Sequence, residues 1–348
     1  MALITAMNGY TAQSQVAQSF RFEVSGDSLA VSPDGRFVAR DSHSIGDVTV
    51  FDRNSKRVRV YYPTSNDGDV GSKSMVQLGR SFLVAGLGDF YGTSSSSIGI
   101  YDFRSGYVRT VARLQVARRA LTSTPDGRIL IASHIKGGLA FWDVQTGKLT
   151  RRWAQFGKGE TTPDALSVSS DGKKLATGHY YMLYGPDARK SGTDAGQSPQ
   201  IWDYKTGRLV VTCQKVRPAH GVDWSIIDFT SLRFSPDGRF LATDSFGHGV
   251  AIWNARTGKN VWLLTHPLNR TGRSVIYSSN GGGLVFSPDS KRVASPGNYG
   301  TIDVYSLQNG KLLKQIRGGG PLVWTKEGLF FKGPRRPKAE GLLMQVKL

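Results

Sequence analysis

The chain has 348 residues, and its 45 Lys or Arg against 26 Asp or Glu give a formal net charge of +19. Its hydrophobic share of 39% and aromatic share of 10% exclude a disordered chain, because such a composition buries enough apolar surface to fold. The single cysteine, Cys213, excludes an internal disulfide framework and a cysteine-based zinc site, and the excess of positive charge suggests an anionic partner.

The N-terminal segment does not have the features of a secretory signal. Residues 1–9 lack a basic start and a long apolar core. The compartment stays open at this point: a cytoplasmic location is favoured, and a mature exported chain is the alternative. No stretch approaches the roughly 18–20 apolar residues of a membrane-spanning helix, so no transmembrane segment is expected. After an extension over residues 1–18, the alternation of residues 19–24 (Ser-Phe-Arg-Phe-Glu-Val) predicts one isolated β-strand.

Two short motifs then repeat with a period of about 40–65 residues, within or above that of a propeller blade. The first has a leucine followed by Ser or Thr and an Asp-Gly or Asp-Ser pair, and it begins at Leu29, Leu121, Leu166, Leu232 and Leu284. The second is an aromatic residue followed by a polar one, at Phe51-Asp52, Tyr101-Asp102, Trp142-Asp143, Trp202-Asp203, Trp253-Asn254 and Tyr305-Ser306. A Gly-Lys or Gly-Arg turn follows four of these, at Gly147, Gly207, Gly258 and Gly310.

Each repeat has the pattern of four short antiparallel strands. Asp-Gly between two alternating apolar runs is a hairpin signal, because glycine supplies the positive φ that a tight turn needs. In the copy at residues 231–264, Leu232-Arg-Phe and Phe240-Leu-Ala-Thr form the two arms of this hairpin. The run ending at Trp253 is a third strand, and Val261-Trp-Leu-Leu is a fourth. No convincing amphipathic helix separates the repeats, which argues against a parallel α/β sheet.

These motifs resemble those of the WD-repeat β-propeller family, with a leaning toward its prokaryotic YVTN-type relatives. The resemblance covers roughly residues 20–348, and Trp142-Asp143 and Trp202-Asp203 match the signature dipeptide. The Gly-His dipeptide of the family is essentially missing here. The resemblance implies a function in binding, although one such architecture hosts many roles.

The sequence therefore predicts an all-β fold, a single seven-bladed β-propeller of four-stranded antiparallel blades that occupies residues 1–348. Six blades are expected near residues 28–62, 75–114, 119–153, 165–213, 231–264 and 283–317. Residues 320–348 supply only three strands of a seventh blade. The N-terminal strand at 19–24 is expected to join them as the fourth and to close the ring, which removes an exposed sheet edge.

Such a meander sends its loops to two different ends. The turns between first and second and between third and fourth strands are uniformly tight and form what we call the turn face. The remaining connections form the long-loop face, which holds the long segments 61–74, 86–97, 154–164, 179–200, 214–230 and 265–282. Because long loops on a rigid scaffold usually carry recognition, we expect a partner protein to bind there. The candidate contacts are Phe90, Tyr91, Tyr180, Tyr181, Tyr184, His220, Trp224, Phe246, Arg270, Arg273 and Tyr277.

All six histidines also fall on the long-loop face, which raises the alternative of a metal or ligand site in an enzyme at the channel mouth. They are His43, His134, His179, His220, His248 and His266. No two of them have the spacing of a metal-binding motif, and no nucleophile elbow, P-loop or dinucleotide fingerprint is present. We therefore expect no metal, no cofactor and no catalytic residue.

The positive charge is concentrated in two segments. Residues 104–158 carry eleven Lys or Arg and two Asp, and residues 311–348 carry nine Lys or Arg and two Glu. Several of these cations fall on predicted fourth strands, at the outer rim of the blades. The second hypothesis is therefore that the rims bind a polyanion, either nucleic acid or an anionic surface. Its candidate residues are Arg109, Arg113, Arg118, Arg119, Arg151, Arg152, Lys332, Arg335, Arg336 and Lys338.

Overall fold

A computed structural model describes a large part of this chain. The described residues are 18–23, 29–32, 34–41, 48–61, 74–78, 82–87, 96–102, 108–114, 116–134, 138–153, 163, 165–178, 181–182, 198–216, 226–227, 229–245, 249–265, 283–297, 300–334 and 341–348. Their regular structure is entirely β-strand, and none of it is a helix long and apolar enough to cross a membrane.

Six four-stranded antiparallel sheets are each formed by one continuous part of the chain, and we call them blades 1 to 6. Blade 1 contains β2 (Leu29–Val31), β3 (Phe37–Asp41), β4 (Val48–Asp52) and β5 (Arg57–Tyr61). Blade 2 contains β6 (Ser74–Leu78), β7 (Phe82–Leu87), β8 (Ser96–Asp102) and β9 (Val108–Leu114). Blade 3 contains β10 (Val116–Ser123), β11 (Ile129–His134), β12 (Leu139–Asp143) and β13 (Leu149–Trp153).

The second half of the chain repeats this arrangement. Blade 4 contains β14 (Ala165–Val168), β15 (Lys174–Gly178), β17 (Gln200–Asp203) and β18 (Leu209–Thr212). Blade 5 contains β20 (Phe229–Phe234), β21 (Phe240–Ser245), β22 (Gly249–Asn254) and β23 (Asn260–Leu264). Blade 6 contains β24 (Val285–Phe286), β25 (Arg292–Pro296), β26 (Thr301–Ser306) and β27 (Leu312–Arg317). A separate two-stranded ribbon pairs β16 (Tyr181–Met182) with β19 (Ile226–Ile227).

One further four-stranded sheet combines strands from both ends of the chain, and we call it the terminal sheet. It consists of β28 (Gly319–Thr325), β29 (Gly328–Lys332), β30 (Leu342–Val346) and β1 (Gln18–Glu23). Strand β1 is antiparallel to β30, with Gln18 opposite Gln345 and Ser19 opposite Met344.

The predicted all-β propeller of four-stranded antiparallel blades is confirmed by this topology. The prediction of seven blades is not confirmed, because six blades are formed by consecutive strands of the described chain. The terminal sheet is composite, and its assignment as a seventh blade is a proposal that we argue below.

The turn between the first two strands of a blade owes its shape to the repeated Ser/Thr-x-Asp-Gly sequence. In blade 5 the Ser235 hydroxyl donates to Asp237 Oδ1 at 2.6 Å and accepts from the Phe240 backbone N–H at 3.0 Å. Gly238 follows with φ at +69°, a backbone conformation that side chains with a Cβ rarely adopt. The same short hydroxyl–carboxylate contact recurs in blades 1, 3, 4 and 6. Each of these hairpins is therefore specified locally.

The apolar core lies between neighbouring sheets, because the middle strands of blades 3 to 6 are largely buried on both faces. One cluster joins blades 3 and 4, a second joins blades 4 and 5, and a third joins blades 5 and 6. Phe141 and Trp253 are each 1% exposed in these seams. Burial of such a side chain contributes roughly 1.5–3 kcal/mol or more. The fourth strands lie outermost, so they and the loops form the surface on which a function can be placed.

Candidate interaction surfaces

The side chains of the turn face form hydrogen bonds within their own turns. Between the third and fourth strands of blade 3, Asp143 Oδ1 accepts from the Thr146 N–H at 2.6 Å and from its hydroxyl at 2.7 Å. Asp203 accepts from the equivalent groups of Thr206 in blade 4, both at 2.7 Å. These carboxylates stabilise turns and point toward them, which leaves the lysines and arginines of the same turns to face solvent.

Most of the predicted long-loop contacts lie outside the described residues. This applies to Phe90, Tyr91, Tyr180, Tyr184, His220, Trp224, Phe246, Arg270, Arg273 and Tyr277. Tyr181 is placed in β16, where its backbone pairs with Ile227 of β19. The insertion within blade 4 and the connection from blade 4 to blade 5 are thus joined as one ribbon. Two of the six segments assigned to the long-loop face meet there.

The predicted rim cations occupy several different positions. Arg109 and Arg113 lie on β9, and Arg151 and Arg152 lie on β13, which are outermost strands as expected. Arg118 and Arg119 instead lie on β10, the first strand of blade 3, which is next to the first strands of blades 2 and 4. Lys332 ends β29, inside the terminal sheet, and Arg335, Arg336 and Lys338 lie outside the described residues. The sequence around Arg118 and Arg119 does not indicate that the chain has passed from the outermost strand of blade 2 to the innermost strand of blade 3.

Arg151 is held between blades 3 and 4. Its Nη1 donates to the Lys205 carbonyl at 2.9 Å, and its Nη2 donates to the Tyr204 carbonyl at 2.6 Å. Its guanidinium carbon lies 4.3 Å from the Phe141 ring centroid and 4.9 Å from that of Trp153. Burial lowers the pKa of Arg151. A guanidinium bound in this way cross-links two blades, and little of it is available to an external polyanion.

The seams between blades contain further contacts that sequence reasoning missed. The glycine turn of one blade rests on the outermost strand of the blade before it. A Cβ at Gly207 of blade 4 would lie 3.2 Å from the Trp153 ring, and one at Gly310 of blade 6 would lie 2.7 Å from the Trp262 ring. Trp262 also donates from Nε1 to the Leu307 carbonyl at 3.1 Å. The Thr-Gly-Lys motif therefore serves both the turn and the packing between blades.

Buried ionisable groups in the described residues have structural partners. The Ser231 hydroxyl donates to Asp244 at 2.7 Å, and Gln315 Nε2 donates to Asp303 at 2.9 Å. Burial raises the pKa of the Cys213 thiol to about 12, so this cysteine is an inert core residue.

Within the described ranges no group of His, Cys, Asp and Glu is arranged to hold a metal ion. Of the six histidines only His134 is placed, on β11, so the expectation of no metal site stays a prediction.

Apolar side chains are exposed at one particular kind of position. In the part of the chain whose side chains are described, all large hydrophobic residues in the exposed class lie on fourth strands. They are Val58, Leu149, Leu209, Val210, Val261, Leu312 and Leu313. Four of these residues pair with the aromatic residue of the third strand: Val58 with Phe51, Leu149 with Trp142, Leu209 with Trp202 and Leu312 with Tyr305. The repeated Lys/Arg-Leu pair after the turn was the available sequence signal, although no candidate contact was predicted on the turn face.

Residues 211–254 match the sequence model of one protein family, "WD domain, G-beta repeat". This range runs from β18 through most of blade 5. The protein tipD of Dictyostelium discoideum is 25% identical over 231 residues, covering 62% of this chain and 34% of the relative. Autophagy-related protein 16 of Arabidopsis thaliana is 24% identical over 236 residues, covering 68% of this chain and 40% of the relative.

A third relative, the periodic tryptophan protein 2 homolog of Schizosaccharomyces pombe, is 24% identical and covers 56% of this chain and 21% of the relative. The chain thus spans between about a fifth and two fifths of the length of these relatives. All three are eukaryotic, so the leaning toward prokaryotic YVTN-type proteins is not confirmed. With its four-stranded blades and these matches, the chain is similar to the WD40 repeat proteins, a family whose propellers are generally non-catalytic and bind other proteins.

Proposed function

We propose that this chain is a non-catalytic scaffold that presents its long-loop face to a partner protein. The observation that carries the proposal is the β16–β19 ribbon, which joins the longest insertion to the neighbouring blade connection. The described residues of this ribbon, 181–182 and 226–227, link the two segments by backbone pairing. A rigid scaffold that holds such a ribbon suits recognition of another folded protein.

The relatives support the general role and leave the partner open. Similarity to WD40 repeat proteins favours protein binding, and the absence of a metal cluster in the described residues gives an enzyme no support. The relatives are longer than this chain, so their partners cannot be transferred to it.

Site-specific photo-crosslinking of the full chain tests this proposal. A crosslinking residue placed at Tyr184 in the insertion should label a partner that co-purifies with the chain. The matched control carries the same residue at Lys173, an exposed position on the turn face of the same blade. Replacement of residues 183–197 by a short Gly-Ser linker should abolish binding of that partner. If the linker variant keeps every partner, the proposal is wrong.

We further propose that the terminal sheet is a seventh blade and that residues 1–348 form one closed propeller domain. Two apolar clusters support this, one between the terminal sheet and blade 6 and one between the terminal sheet and blade 1. Arg53 of blade 1 donates to Gln345 Oε1 at 2.9 Å and lies 5.1 Å from the Phe330 ring centroid. This contact resembles the one that Arg151 makes between blades 3 and 4.

Polyanion binding by the predicted rim cations remains a second candidate. Its support is the exposed Arg152 on β13 and the position of Arg109 and Arg113 on the outermost strand of blade 2. The commitment of Arg151 to blade 4 weakens it.

A further inference from the structure

A repeated pair of chemical groups lies where the turn face meets the outer surface of the propeller. In blades 3, 4, 5 and 6 the residue after the turn glycine is an exposed cation: Lys148, Arg208, Lys259 and Lys311. An aliphatic side chain follows within two residues in each blade. Leu149, Leu209, Val261 and Leu312 are 43%, 42%, 37% and 37% exposed. We call these four cations and four aliphatic residues the basic–aliphatic rim.

The four cations of this rim outnumber the two carboxylates at the start of the same turns. None of the four forms an ion pair with a side chain of the described residues. In blades 3 and 4 the turn carboxylates Asp143 and Asp203 accept hydrogen bonds from threonine, and the charge of Arg208 also contributes to the lowered pKa of Asp203. In blades 5 and 6 the same position is Asn254 or Ser306, which carries no charge. The rim therefore faces solvent with a net positive charge.

The positions repeat in the same register in blades 3, 4 and 6, whereas in blade 5 that register position is Asn260 and Val261 follows it. The four blades therefore present a row along one end of the molecule. Leu149, Leu209 and Leu312 occupy the same register position, opposite Trp142, Trp202 and Tyr305 of their third strands. Neighbouring blades are held side by side at this end by the contacts of Gly207 with Trp153 and of Gly310 with Trp262. A partner that touches several of these positions at once must be extended and must combine negative charge with an apolar layer.

We propose that the basic–aliphatic rim binds the surface of an anionic lipid bilayer. Lipid phosphates and carboxylates would pair with the four cations, and the aliphatic side chains would enter the boundary between headgroups and acyl chains. Single-stranded nucleic acid offers no apolar layer and is usually bound through aromatic stacking, whereas the exposed large hydrophobic side chains of this rim are aliphatic. The inference uses none of the long-loop residues, and its outcome is independent of partner binding on that face.

Vesicle sedimentation of the full chain tests this proposal. The chain should bind phosphatidylcholine vesicles that contain phosphatidylserine, and it should not bind vesicles of phosphatidylcholine alone. Neutralising two rim cations, in Lys148→Gln/Lys311→Gln, should weaken binding by roughly thirtyfold. The matched control is Lys314→Gln/Arg317→Gln, which removes two cations from β27 farther from the turn and should weaken binding much less.

A second pair of variants tests the apolar component. Leu149→Ser/Leu312→Ser keeps the net charge and should still weaken binding to the phosphatidylserine vesicles, with a circular dichroism spectrum like that of the unchanged chain. Equal losses in the two charge variants would mean attraction by net charge alone and would overturn the proposal. So would full binding of the serine variant, or binding of a single-stranded oligonucleotide with no binding of the vesicles.

Discussion

Aspartate has the same role in the first turn of five blades, where it accepts a short hydrogen bond from Ser or Thr two residues earlier. The hydroxyls of Ser32, Thr124 and Ser169 each donate to the aspartate at 2.6 Å. This hydrogen bond lowers the pKa of Asp34, Asp126, Asp171 and Asp289 below the usual value, and backbone N–H groups add to the effect. The charged form is therefore favoured by folding, although each carboxylate is close to solvent and its individual contribution is small.

The first prediction concerns Ser169→Ala. The hydroxyl of Ser169 donates to Asp171 and accepts from the Lys174 N–H at 2.9 Å, so its removal should lower the free energy of unfolding by about 1 kcal/mol near pH 7. Because the pKa of Asp171 is lowered in the folded state, the stabilisation is present above its unfolded pKa and is lost as the pH falls through its folded pKa. The difference from the unchanged chain should therefore shrink in strongly acid solution.

Urea denaturation at neutral and acid pH measures this difference. Ser170→Ala is the control, because Ser170 is exposed and has no hydrogen bond to another described side chain. A loss of stability in Ser169→Ala that is the same at both pH values would show that the carboxylate has no part in it.

At the scale of elements, the important unit is the seam between two neighbouring blades at the turn face. In three seams of the described chain, between blades 3 and 4, 4 and 5, and 5 and 6, a turn of one blade meets the outermost strand of the blade before it. Arg151 donates to two carbonyls of blade 4, and Trp262 donates to one carbonyl of blade 6. In a third seam, the Gln214 N–H after β18 donates to the Gly258 carbonyl of blade 5 at 2.7 Å. The chemistry of the contact differs while its place in the blade is the same.

The second prediction compares two glycines with the same backbone conformation. Gly238 and Gly310 both have φ at +69°, but a Cβ at Gly238 meets nothing within 4 Å, whereas one at Gly310 would collide with the Trp262 ring. Gly238→Ala should cost about 1–2 kcal/mol, the strain of a left-handed residue. Gly310→Ala should cost about 1–3 kcal/mol more, because the blade seam is overpacked.

Thermal or urea unfolding of the two alanine variants checks this comparison. Equal destabilisation by both would mean that the Trp262 ring moves aside without cost and that the seam does not depend on a glycine at this position.

At the scale of the whole molecule, the two ends of the described chain meet in the terminal sheet. Strand β1 is its outermost strand, paired only with β30, and β28 lies next to the first strand of blade 1. A deletion of residues 1–24 should therefore leave β30 with an unpaired edge, which favours association between molecules.

The third prediction is that this deletion clearly lowers the unfolding temperature and shifts the chain toward oligomers in size-exclusion chromatography. Deletion of residues 1–17 is the control, since it keeps β1 intact and should have little effect on either measurement. Identical behaviour of the two truncated chains would contradict the proposed closure of the ring by β1.

Much of this fold could be predicted from local sequence, because its hairpins are specified within a few residues. The Ser235 hydroxyl, Asp237 and Gly238 form one turn inside their own hairpin, and blade 6 adds a contact in which the Asp237 N–H donates to Ser290 Oγ at 3.0 Å. Contacts between blades could not be predicted in the same way. Nothing near Arg151 in the sequence indicates that it meets Tyr204, and nothing near Arg118 indicates an inner strand. The candidate partner face was inferred from loop length, a property that identifies a surface but does not fix the positions of its side chains.

The small ribbon of β16 and β19 has a mechanical consequence. One of its strands interrupts blade 4 between β15 and β17, and the other precedes β20 of blade 5. A force applied to the insertion is thus transmitted through backbone hydrogen bonds to the segment that leads into the next blade. A partner that binds this insertion is therefore coupled to both blades. We expect such binding to slow the hydrogen exchange of the backbone amides of β20.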